Sequence, residues 1–147
     1  MKALLPVIAL LSITSCQLIE NKYQYSSFTP IHVYSKENKE LFLEFYVLDS
    51  MNWISKATVT EKDNQLRIKV YYTPIQTHSA FIRNERGNFI SSVYEAEGLD
   101  TKAVFYEDEI GLHPIVVEEW NETLLNPYIA PKLTDPFERQ TAEPVGI

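Results

Sequence analysis

The stretch that decides the fold reads Trp53-Ile-Ser-Lys-Ala-Thr-Val-Thr-Glu-Lys62, then Asp63-Asn64, then Gln65-Leu-Arg-Ile-Lys-Val-Tyr-Tyr-Thr73. Two runs rich in β-branched and aromatic residues flank a pair that tolerates the positive φ of a two-residue turn, which is the signature of a β-hairpin. Pairing the runs about Asp63-Asn64 sets Val59 opposite Ile68 and Ala57 opposite Val70. The alternate positions set Thr60 opposite Arg67 and Thr58 opposite Lys69. One face is therefore apolar and the other polar. A slip of one residue would turn every apolar side chain to water, so the register is strongly specified. Val59 and Ile68 are expected in the core, with Thr58, Thr60, Arg67 and Lys69 towards solvent.

On the N-terminal side, residues 39–48 form a strong strand candidate with Leu41, Leu43, Phe45 and Val47 on one face. The other face carries Phe42, Glu44, Tyr46 and Leu48, so partial cover is expected there too. A further strand is expected at 29–34. Residues 17–28 show neither helical nor strand periodicity and read as a tether. On the C-terminal side Pro74 ends the hairpin, because proline cannot donate to a ladder. Shorter strands are expected at 79–83, Phe89–Glu95, 101–107 and 113–119, the last two joined about Asp108-Glu109-Ile110-Gly111. Residues 119–125 hold one or two helical turns at most. Seven or eight strands without an intervening amphipathic helix predict an all-β domain. The expected form is an antiparallel β-sandwich, immunoglobulin-like or transthyretin-like, or a small barrel. That domain spans 29–125. Four prolines and few large apolar residues make 126–147 an irregular tail.

The opening of the chain has a different character. Met1-Lys2 is followed by an apolar run from Ala3 to Leu11, then Ser12 and Ile13-Thr14-Ser15-Cys16. One positive charge, about ten apolar residues and a small residue before a cleavage point make a secretory signal. The run is too short to span a bilayer, which takes about 20 residues. Ile13-Thr14-Ser15-Cys16 resembles the lipobox of bacterial lipoprotein precursors, and Cys16 is the single cysteine of 147 residues. The resemblance covers residues 1–16. It implies cleavage between Ser15 and Cys16, removal of residues 1–15 and lipid on Cys16, with 16–28 as a lipidated tether. Two or three acyl chains on one residue make a stable anchor where a single chain does not. Gln17 is not the Asp that retains many such proteins at the inner membrane. The resemblance therefore favours the periplasmic face of the outer membrane, with the outer face of a Gram-positive plasma membrane as the alternative.

Removing the signal leaves 12 basic against 20 acidic residues. This balance argues against nucleic-acid binding, which uses a basic patch. A lone cysteine excludes an intrachain disulfide framework. The acidic surplus is confined to 95–122, where Glu95, Glu97, Asp100, Glu107, Asp108, Glu109, Glu118, Glu119 and Glu122 face only Lys102. Solvated strand ends are the leading reading. A calcium site built from Asp100, Glu107, Asp108 and Glu109, or an acidic face for a basic partner, are the alternatives. His32, His78 and His113 lack the spacing of a zinc site. No nucleophile motif, phosphate loop or cofactor signature is present. Tyr46, Tyr71, Tyr72, Trp53 and Trp120 suit either core packing or a row that stacks sugars. Asn121-Glu122-Thr123 fits a glycosylation sequon, which carries little weight in a bacterial lipoprotein. These readings lead to a non-enzymatic, lipid-anchored module that contacts another envelope protein. A glycan-binding lipoprotein is the second reading, and a hydrolase with a scattered site the third.

Overall fold

The computed structural model describes residues 20–49 and 51–129. Strand β1 is Asn21–Lys22, β2 Phe28–Lys36, β3 Glu40–Val47, β4 Trp53–Lys62 and β5 Gln65–Thr73. They are followed by β6 Ile82–Arg83, β7 Phe89–Glu95, β8 Ala103–Glu107, β9 Leu112–Ile115 and β10 Val117–Glu119. Short 3-10 turns lie at Tyr25–Ser27, Leu99–Thr101 and Glu122–Leu125. The chain is all-β. Its strands form two five-stranded sheets curled into a half-barrel around one core.

The central hairpin has the expected register: Val59 pairs with Ile68, Ala57 with Val70, Thr60 with Arg67 and Thr58 with Lys69. Asp63 and Asn64 adopt φ of 53° and 61°, the left-handed pair that a two-residue turn demands. Glu37 and Asn38 repeat this geometry between β2 and β3. Ile68 is fully buried and Val59 half-buried against the core. On the polar face Arg67 and Lys69 both reach Glu107 of β8, at 3.8 and 3.3 Å.

In the first sheet, β4 lies along one edge of β5. The other edge carries β8 beside Gln65–Ile68 and β1 beside Tyr71 and Tyr72. The second sheet runs β10-β2-β3-β7-β6. Leu41, Leu43 and Phe45 of β3 meet Leu66, Ile68, Val70, Val104 and Tyr106 of the first sheet. Full burial of one such aliphatic side chain contributes about 1.5–3 kcal/mol. The opposite face of β3 is covered as well, with Phe42 and Ile90 under Trp120 and Leu124. Glu44 is completely buried there and accepts a 2.6 Å hydrogen bond from Asn88 Nδ2. Tyr34, on the same face, has its pKa pushed up to about 12 by burial, then by the Glu44 and Glu118 carboxylates.

Four expectations change. The sheets are mixed, not purely antiparallel, because β8 runs parallel to β5 and β10 parallel to β2. The described residues hold ten strands in place of seven or eight, two of them only two residues long. The strand expected at 79–83 contracts to Ile82–Arg83, and the one at 113–119 divides into β9 and β10. Finally, residues 20–28, expected within the tether, pack onto the sandwich. Tyr23 is buried, and its N–H donates to the Val70 carbonyl at 2.9 Å.

Candidate functional site

The strand directions give the sandwich two ends. Val47, Trp53 and Thr73 mark one; the Glu37-Asn38 and Asp63-Asn64 turns mark the other. At the Trp53 end a cleft of about 460 Å³ opens between the sheets. Its walls come from β3, β4, β6, β7, the 48–52 loop, the 74–81 connection and Tyr23. Phe81 and Phe89 supply an aromatic floor against Phe45, with ring centroids at 5.1 and 5.9 Å. Arg83 lies over the Phe89 ring at 4.9 Å. Asp49 anchors the loop by accepting from Asn52 Nδ2 at 2.7 Å, the Met51 N–H at 3.0 Å and the Tyr23 hydroxyl at 3.1 Å. Burial pushes the Asp49 pKa up, but those donors outweigh it and hold the carboxyl below its ordinary value.

Around this cleft large apolar side chains stand in solvent. Leu48 is 89 % exposed, Met51 79 %, Ile75 58 % and Trp53 46 %. Met51 and Ile75 each lie two residues beyond the final Trp53–Thr73 pair of the ladder. The polar groups of the lining are Asp49, Asn52, Thr77, Ser79 and Arg83, and the Asp49 carboxylate is taken up by its three donors. The rest of the lining offers apolar area and shape.

Residues singled out by sequence are dispersed. Cys16 and Ser15 lie outside the described residues. Within 95–122 the acids turn to separate bases: Glu97 to Lys39, Glu107 to Arg67 and Lys69, Glu118 to His32, and Glu122 to Lys36. Asp100 joins Asn38 through its own N–H and its carboxylate. Among the described residues no three His, Cys, Asp or Glu side chains gather as a metal-ligand group. Asp108 has a structural task. It accepts from the N–H groups of Tyr25 (2.8 Å), Ile110 (2.9 Å) and Gly111 (3.1 Å), with His113 Nε2 at 3.0 Å. Burial alone would raise its pKa; these partners bring it down to about 2.

His32 and His113 thus belong to different clusters, and His78 is exposed. Tyr46, Tyr71 and Tyr72 are half-buried, and Trp120 stacks on Phe42 at 3.9 Å. No solvent-facing row of aromatics results. Asn121 caps the Glu122–Leu125 turn, accepting from the Thr123 N–H at 3.0 Å. The Asp49, Arg83 and Phe81 grouping was not visible in sequence. Its one local signal is the 48–52 connection, Leu-Asp-Ser-Met-Asn, where two large apolar residues precede the Trp53 that opens β4.

No family model, curated protein or solved structure matches the chain. Among the described residues no helix is long and apolar enough to cross a membrane.

Proposed function

We propose that the chain is a lipid-anchored protein of the bacterial envelope, at the periplasmic face of the outer membrane, that works by contact as an assembly or inhibitor subunit for another envelope protein. The observation that carries this reading is the cleft at the Trp53 end, with its aromatic floor of Phe81 and Phe89. A largely apolar cleft of this kind is where an anchoring side chain of a partner protein seats. The glycan reading has less support, since the aromatics are largely taken up by the core.

The test places a photo-crosslinking amino acid at Thr77 or Ser79, beside the cleft, in intact cells. A discrete adduct with one envelope protein, lost when Cys16→Ser abolishes anchoring, is the expected result. Adducts with peptidoglycan or polysaccharide fragments would favour the glycan-binding alternative. Absence of any adduct from both positions would count against a docking cleft.

A further inference from the structure

We infer that the exposed rim of the Trp53 end seats on the lipid surface itself, so that the sandwich stands on the membrane in one fixed orientation. This deepens the lipid-anchor reading and rests on it. The geometry comes from β1. Asn21 pairs with Tyr72 and Lys22 with Tyr71 in antiparallel sense, so the N-terminal end of β1 points towards Thr73. Glu20 is fixed at that level. Its carboxylate accepts from Ser55 Oγ at 2.5 Å and pairs with Lys56 at 2.9 Å. The four peptide links from Glu20 to Cys16 reach at most about 14 Å. Lipid on Cys16 therefore holds the Trp53 end, and not the Asn64 end, against the bilayer.

Leu48, Met51, Trp53 and Ile75 are apolar groups exposed at that end, with Ile82 exposed beside Arg83. Leu48 follows β3, Met51 precedes β4, Trp53 opens it, and Ile75 lies two residues after β5, so all four sit at the ends of these three strands. An indole beside aliphatic side chains is the composition that partitions into the headgroup boundary. Lys22, Lys56 and Arg83 near the same end suit a headgroup layer, while Asp49 is already satisfied by three donors. At the Asn64 end the turns carry Glu37, Asn38, Asp63, Asn64 and Asp100, which water solvates and a bilayer would not. Because two or three acyl chains already hold the protein, the rim sets orientation more than affinity. The cleft beside it then opens at the height of the membrane surface, where a partner at that surface can reach it.

The two tryptophans provide the test. Trp53 belongs to the rim, whereas Trp120 stacks on Phe42 on the far side of the second sheet. Full-length lipidated Trp120→Phe and Trp53→Phe proteins, reconstituted into phosphatidylethanolamine–phosphatidylglycerol vesicles with brominated acyl chains, report each indole separately. Trp53 emission should fall about twofold, while Trp120 emission should hardly change. The combined Leu48→Ser, Met51→Ser and Ile75→Ser variant, in the Trp120→Phe background, should still float with vesicles yet lose the Trp53 quenching. Flotation with Trp53 unquenched overturns the seating and leaves the lipid anchor standing. Protein lacking lipid that still shows selective Trp53 quenching supports the seating and removes the anchor. Neither flotation nor quenching removes both. A photo-crosslinker in place of Met51 should capture phospholipid in intact envelopes; capture of a protein there overturns the seating.

Discussion

The two ends of the sandwich are built from opposite chemistry on the same strands. At the Asn64 end the turns hold together through exposed polar groups: Asn38 exchanges two hydrogen bonds with Asp100, Asn64 donates to the Thr101 carbonyl, and Lys102 pairs with Glu61. Between the ends, beside the middle of β5, the structural polar groups are sunk into the molecule. The Tyr106 hydroxyl, completely buried, donates to the Tyr23 carbonyl at 2.6 Å and accepts from the Val70 N–H at 3.3 Å. Asp108 binds three backbone N–H groups. At the Trp53 end Leu48, Met51, Trp53 and Ile75 are exposed beside Lys56 and Arg83. An end that satisfies itself with exposed polar groups alone asks for water; an end that also exposes leucine, methionine and tryptophan asks for cover.

Mutations test this contrast, and the largest effect belongs to the core that both ends share. Ile68→Ala should lower stability by roughly 2–4 kcal/mol in urea melts, the range for a truncated buried aliphatic. A loss under about 1 kcal/mol would mean the hairpin face is misassigned. Between the ends, Tyr106→Phe should cost about 1–3 kcal/mol, because the Tyr23 carbonyl loses its donor and the Val70 N–H one acceptor in a dry site.

Asp108→Asn should cost about 2 kcal/mol at neutral pH and make the stability curve flatter in acid. The sign follows from the depressed carboxyl: the unfolded chain binds its proton near pH 4, the folded chain near pH 2. Stability from this group is complete above pH 4 and disappears as pH falls from about 4 towards 2. Equal acid sensitivity in wild type and Asp108→Asn, measured by melts across that window, would sink this assignment. The smallest effects belong to ion pairs at the surface, Lys39–Glu97 exposed and Lys69–Glu107 half-buried. Lys39→Ala, at the Asn64 end, and Lys69→Ala, on the polar hairpin face, should each cost less than about 0.5 kcal/mol. If Lys39→Ala matched Tyr106→Phe, the distinction between exposed and buried polar groups would fail.

The hairpin was legible because its information is local. Asp63-Asn64 selects the turn, the turn fixes the register, and alternation of Val59, Ile68 and Val70 with threonine and lysine selects the buried face. The double-sided character of β3 was legible in part: Phe42 and Glu44 are buried, yet Leu48, which continues the same alternation, is almost fully exposed. Strand alternation says which side chains share a face and is silent about where the covering layer stops. Here Trp120 and Leu124 provide that layer, and they cover the middle of β3 but not its end.

Sequence by itself determined the all-β class, the central register, the polar outer face of the hairpin and the expectation of a lipid anchor at Cys16. Each depends on neighbours within a few residues. Only the tertiary structure decided the parallel pairings of β8 with β5 and β10 with β2, because parallel strands are joined through long connections whose path no local pattern encodes. Only tertiary structure dispersed the acidic segment onto bases drawn from β2, β5 and the β2–β3 turn. It also set Leu48, Met51, Trp53 and Ile75 at one end, the end towards which the N-terminal side of β1 points. A surface made from the ends of several strands exists only once those strands are aligned, and their alignment is set by the shared core.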